Sequence, residues 1–133
     1  MRYFKLIEFT ASATARELGI DNTPTKDAIE NIEALVSKVL DPLRDAFGKP
    51  IYVRSGYRSV DLNMAVGGVK NSQHLKGEAA DITANSREDN QWLFEYIRDN
   101  LPFDQLIDEY NYSWVHVSVK ADGCNRRDII HQR

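Results

Sequence analysis

With a single cysteine, Cys124, the 133-residue chain can form no internal disulfide. Its stability must come from a packed core, which one domain of this length can bury. A lone thiol is compatible with folding in a reducing cytoplasm. Basic residues are in deficit: 17 Lys and Arg stand against 20 Asp and Glu, for a net charge of -3. Nothing in that balance attracts nucleic acid, which favours basic surfaces. No apolar run approaches the roughly 18 residues of a membrane span. The amino terminus, Met1 to Glu8, holds a basic residue but no apolar stretch of the signal-peptide kind. Repeats and low-complexity stretches are also absent. The expectation is one domain over residues 1–133, its core running from about 4 to 119 and followed by a polar, loose tail over 120–133. No nucleic-acid or membrane partner is expected. A monomer is expected, since no apolar stripe beyond the core helices is evident.

What is present is ordinary globular material, 42% hydrophobic and 28% charged. Residues 1–22 are mixed, with a short helix predicted over Ser12–Leu18. Thr23-Pro24 reads as a helix start. Ile29, Ile32, Leu35, Val36, Val39, Leu40, Leu43 and Phe47 then form one apolar face of a long helix. Pro42 should kink it, and Gly48-Lys49-Pro50 should end it. Ile51–Ser55 and Ala79–Thr83 read as strands, 59–65 as a helical turn, and Ser86 as the cap of a second helix carrying Trp92, Leu93, Tyr96 and Ile97. Phe103–Glu109 and Trp114–Val119 read as a β-hairpin about Asn111. The predicted class is α+β, with helices packed on a small, largely antiparallel sheet.

Chemistry concentrates on two of the three histidines. His74 lies in Ser72-Gln73-His74-Leu75-Lys76-Gly77-Glu78-Ala79-Ala80-Asp81, and His116 in Trp114-Val115-His116-Val117-Ser118. Alternation puts Val115, Val117 and Val119 on one strand face, so His116 points away from the apolar side. Two imidazoles and one carboxylate leave a fourth zinc position open for water, as catalytic sites do. The residues alone leave other readings open: a surface His74, a backbone-satisfied Asp81 and a core His116, or a non-haem iron site. The third histidine, His131, is expected to be exposed, and Cys124 to be a loop thiol.

The stretch Ser55-Gly56-Tyr57-Arg58-Ser59, then Asn63, Gly67-Gly68, Ser72 to Ile82, and finally Trp114-Val115-His116-Val117-Ser118 closely resembles the zinc D-alanyl-D-alanine carboxypeptidase family. That family also holds D,D-dipeptidases and phage L-alanyl-D-glutamate endolysins. The pattern Ser-x-His, two residues, Gly-x-Ala-x-Asp is matched at every defined position, and the likeness covers about 4 to 119. It implies a hedgehog/D,D-peptidase-like fold with Zn2+ at the sheet face, held by His74, Asp81 and His116. Arg58 matches the family's arginine near the metal, suited to a substrate carboxylate or an oxyanion. Ser72, Tyr57 and Trp114 are expected as supporting or substrate-contacting residues.

Many members carry an acid three positions before the last histidine; here that position is Ser113, which cannot take a proton as a carboxylate can. Glu109 resembles an acidic position of the closest branch. A two- or four-residue hairpin loop sets it opposite Trp114 on the His116 face, whereas an odd loop would present Asp108. The resemblance implies a zinc peptidase acting on peptidoglycan peptides, as a carboxypeptidase or an endopeptidase of the endolysin kind. It would be made in the cytoplasm without a signal peptide and reach the wall by phage-type release. The missing acid at Ser113 keeps open a non-catalytic, zinc-containing wall-binding or phage structural module.

Overall fold

Two short helical segments open the chain in a computed structural model that describes residues 1–133. Helix α1 is Leu6–Thr10, a turn that sequence periodicity did not reveal, and α2 is Ala13–Leu18, capped by Ser12 and closed by Gly19 in the left-handed region. The long apolar-faced helix follows as three joined pieces: α3 (Lys26–Leu35), a π-helical turn (Val36–Leu40) and α4 (Asp41–Phe47). Its cap is Thr25, whose hydroxyl accepts from the Ala28 N–H at 3.1 Å, not Thr23. Thr23 instead bonds Asp21 in the preceding loop. Proline removes an N–H and crowds the preceding turn, and the π turn lies immediately before Pro42. The expected disruption thus appears as a widened turn in a continuing helix.

The sheet comprises β1 (Tyr52–Ser55), β2 (Ala79–Thr83), β3 (Gln105–Glu109), β4 (Trp114–Ser118) and β5 (Asp128–Gln132), in the order β1-β2-β4-β3-β5. Between β1 and β2 lie α5 (Val60–Ala65), capped by Ser59, and a 3-10 turn (Gln73–Lys76), capped by Ser72. Helix α6 (Arg87–Asn100), capped by Ser86, precedes β3. All pairings are antiparallel except β3 with β5. Alternation divides the sheet as expected. Ala80, Ile82, Val115, Val117 and Leu106 join Leu35, Val36, Val39, Leu40, Leu43, Leu93, Phe94 and Ile97 in one core beneath the long helix and α6. The other face carries the row Asp81, His116 and Ile107, paired across three strands.

The expected loose tail is overturned. Residues Asp128–Gln132 add a parallel strand to β3, and the reason is electrostatic as much as hydrophobic. Asp104 and Asp108, flanking and within β3, are both 0% exposed. Buried carboxylates need partners. Arg126 bonds Asp104 at 2.8 Å, while Arg133 and His131 bond Asp108 at 2.5 and 3.1 Å. His131 is therefore a bonded residue at the surface, not a bystander.

Burial works to raise both carboxyls, but hydrogen bonds and charge more than offset it, from Arg126 at Asp104 and from Arg133 and His131 at Asp108. Both stay below the ordinary carboxylate range. Their contribution to stability is present above about pH 4, the unfolded-chain value, and is lost as pH falls through the depressed native values. Thermal unfolding followed from pH 6 to 2 is expected to show that loss. Truncation after Asn125, which strips both acids of their main partners, is expected to cost about 3–5 kcal/mol of unfolding free energy.

Candidate metal centre

The β2–β4 register sets Asp81 directly opposite His116, and 3.0 Å separates Asp81 Oδ1 from His116 Nδ1. His74 arrives from the 3-10 turn. Ser72 Oγ accepts from the His74 N–H at 3.1 Å, and Gly77 ends the turn at φ 75°. A side chain at Gly77 would meet the Ala28 carbonyl at 2.5 Å, so the turn is pressed against α3. His74 Nε2 then stands 3.4 Å from Asp81 Oδ2. One ligand atom from each of the three residues lies within 4.8 Å of the others. All three side chains are buried.

The tautomer tests whether this cluster suits a cation. His74 Nδ1 is 2.6 Å from the Gly56 carbonyl, which can only accept, so Nδ1 carries the proton. The Nε2 of the neutral ring therefore turns a lone pair towards the Asp81 carboxylate, a repulsion that a shared cation relieves. Two ligands of a tetrahedral zinc at 2.0–2.1 Å lie about 3.3–3.4 Å apart, which is the Nε2–Oδ2 separation. The Gly56 carbonyl also supplies the outer bond that metal-binding histidines characteristically make. Zinc fits the donor set, the spacing and the tautomer. Burial works to raise the Asp81 carboxyl, yet the hydrogen bond and charge of His116 hold it well below the usual range, as an anion.

The cluster lies in a cleft of about 690 Å³ whose lining includes Arg58, Ser72, Glu109 and Trp114. The Arg58 guanidinium is fixed by Ser55 Oγ (3.1 Å) and Asn63 Oδ1 (3.1 Å), and its Nη2 is 3.7 Å from Asp81 Oδ2. Burial lowers its pKa while Asp81 works the other way; arginine stays cationic regardless. The hairpin loop has four residues, with Tyr110, Asn111 and Tyr112 all left-handed. Glu109 accordingly pairs with Trp114 and lines the cleft, while Asp108 is on the core face. No protein donor bonds the Glu109 carboxylate. Burial, then the charge of Asp81, raises its pKa, and Asp108 adds to this while His116 opposes it. Ser113 is occupied in the loop, its hydroxyl donating to the Tyr110 carbonyl at 2.7 Å.

Tyr57 does not join the site. It is 8% exposed and belongs to the hydrophobic core, because its chain segment is drawn inward by a bond from the Tyr57 N–H to the Phe9 carbonyl. Tyr112 likewise packs on Phe94, whereas Tyr110 lines the cleft beside Trp114. Several contributors escaped sequence reasoning. Arg54 stacks over Trp114 at 4.1 Å, next to a bulge where β1 spends an extra residue between Val53 and Ser55. Gln105, Arg126 and Gln132 extend the lining towards β5. A usable signal did exist for the last group: Asp104 and Asp108 fall at alternating positions with the apolar Leu106, where buried acids call for basic partners, and the final eight residues hold three arginines.

Comparison with known proteins agrees with this geometry. The family model described as Peptidase M15 matches residues 2–118. The zinc D-Ala-D-Ala carboxypeptidase of Streptomyces albus G is 51% identical over 49 residues, which cover 36% of this chain and 19% of that protein. The match thus spans about a fifth of the length of that relative.

Replacing His74, Asp81 or His116 with Ala is expected to reduce bound zinc from about one ion per chain to a small fraction, read by elemental mass spectrometry. Gly56→Ala pushes a methyl to 2.6 Å from the Phe9 carbonyl. By displacing the outer partner of His74, it should weaken zinc affinity about tenfold or more in a competition titration.

Proposed function

The chain belongs to the M15 peptidase family, and we propose that it hydrolyses peptide bonds in peptidoglycan stem peptides or cross-links, with zinc held by His74, Asp81 and His116. The observation that carries this reading is a three-ligand cluster set in a cleft that also holds an unpaired, half-buried carboxylate and a braced guanidinium. His74, Asp81 and His116 would hold such a cation with a position left for water, whose pKa it would lower towards neutrality.

The chain's own residues supply the rest. Glu109 is our choice of general base: its carboxylate accepts the proton of the nucleophilic water and passes it to the leaving amine. Its raised pKa makes it a better acceptor near neutrality than an ordinary glutamate. Below that pKa it is protonated and cannot accept, so kcat/KM should fall on the acid side. Arg58 would bind the oxygen on which charge develops, or a terminal substrate carboxylate. Its fixing by Ser55 and Asn63 removes the cost of orienting it. Trp114, half-buried and flanked by Arg54 and Tyr110, offers an apolar wall for substrate.

The substrate class follows from likeness to a protein named for D-Ala-D-Ala carboxypeptidase activity. Either removal of a terminal D-alanine or a cut within the stem agrees with an open cleft of this size. Incubation of zinc-loaded protein with purified muropeptides, beside a His116→Ala control, is expected to yield new fragments by mass spectrometry. Glu109→Gln should retain zinc and lower kcat by about a hundredfold to ten-thousandfold. Intact muropeptides in the presence of one bound zinc per chain would sink the hydrolytic reading and favour a wall-binding module.

A further inference from the structure

The family match ends at residue 118, but the cleft does not. Its lining continues from Gln105 and Ile107 of β3 to Arg126 and Gln132 in the C-terminal segment. The state of the Arg126 guanidinium is informative. Its Nε is 3.3 and 3.2 Å from the two oxygens of Asp104, and its Nη2 is 2.8 Å from Oδ2. The Arg126 N–H donates to the same carboxylate at 2.9 Å. One edge of the fork is therefore gripped by a fully buried acid, while Nη1 finds no acceptor in the protein and the side chain stays 55% exposed. A guanidinium clamped on one edge and open on the other is a donor pair already oriented for a ligand.

The neighbouring charges do not cancel that donor. Lys120 Nζ is a second cation 4.0 Å from Asp104, and Asp128, the next acid along, is engaged by Gln105 Nε2 at 3.2 Å. Strand geometry gives the distance from the metal end. Ile107 pairs with His116, Gln105 is two residues further along β3, and Arg126 flanks Asp104 on the β5 side. With about 3.3 Å per residue and about 4.8 Å per strand, three residues along and two strands across put Arg126 roughly 14 Å from His116, some four residues of extended peptide.

We infer that Arg126 is a specificity-determining residue of this cleft, binding a second carboxylate of an acidic peptide three or four residues from the bond cut at the metal end. The inference deepens the proposed function and takes its substrate class from it. Wall stem peptides offer such a group in the free α-carboxyl of their γ-linked glutamate, which also occurs as the carboxamide. The free acid suits a guanidinium; the amide does not.

Binding separates this inference from turnover. Full-length, zinc-loaded Glu109→Gln protein is titrated calorimetrically with a matched pair of muropeptides, carboxylate and carboxamide. The carboxylate form should bind about tenfold more tightly, the scale of one charge-assisted contact. Because Arg126→Gln alone strands the buried Asp104, the companion variant is Asp104→Asn with Arg126→Gln, checked for folding by circular dichroism. In it the tenfold preference should vanish, with affinity for the carboxamide little changed. Equal binding of the two forms, no binding of either, or a preference that survives the double substitution would overturn the inference. Discrimination by Arg126 in a protein whose unmutated form cuts neither peptide would instead overturn the hydrolytic reading and leave this one standing.

Discussion

Asp81 and His116 occupy facing positions on β2 and β4, and the remainder of the site is arranged around that pair. Side-chain direction alternates along a strand, so a slip of one residue in this register would send Asp81 to the helix-covered face and Ile82 to the cleft. The slip is opposed by the apolar residues on either side of the pair. Ala80 and Ile82 are matched with Val117 and Val115, and all four are 0% exposed. The same alternation that builds the core therefore delivers the acid and the imidazole to a common point on the opposite face. Hydrophobic packing sets the geometry that the polar chemistry then uses.

His74 is held by quite different means. It lies outside the sheet, on a single 3-10 turn, and a turn that short has little rigidity of its own. Ser72 caps it, Gly77 permits its tight approach to α3, and the Gly56 carbonyl fixes the ring. Gly56 is itself pinned between Phe9 and β1, where a methyl group would already collide. The third ligand thus depends on the amino-terminal helices through a chain of close backbone contacts. The family match likewise takes in those helices, beginning at residue 2.

The C-terminal strand ties the opposite end of the cleft to buried charge. Its five residues bury little apolar surface, and Ile129 remains 40% exposed. What recommends its docking is the pairing of Asp104 and Asp108, whose desolvation would otherwise weigh against the fold. The Tyr110 N–H donates to the Gln132 carbonyl at 2.7 Å, joining the strand to the hairpin loop just beyond Glu109. One set of ion pairs thus serves both the fold and the wall of the cleft.

Much of this was legible along the chain, because the signals involved are local. Helix periodicity from Ile29 to Phe47, the short helix over Ser12–Leu18, the helical turn over 59–65, the cap at Ser86, the strand alternation around His116, and the ordered motifs carrying His74 and Asp81 all depend on neighbours a few residues apart. Glu109 versus Asp108 was posed correctly by the sequence but turned on loop length, which three left-handed residues decided. Tyr57 looked like a site residue because its neighbours are, yet its burial depends on Phe9, 48 positions earlier in the chain (57 minus 9). The parallel β5, the tautomer of His74 and the half-open fork of Arg126 were decided only by tertiary structure. Each depends on groups 18 to 25 residues distant meeting in space, His74 with Gly56, Arg126 with Asp104 and Arg133 with Asp108, and no local propensity encodes such meetings. Sequence determined which chemical groups the protein owns and which faces they occupy; long-range packing decided which of them touch.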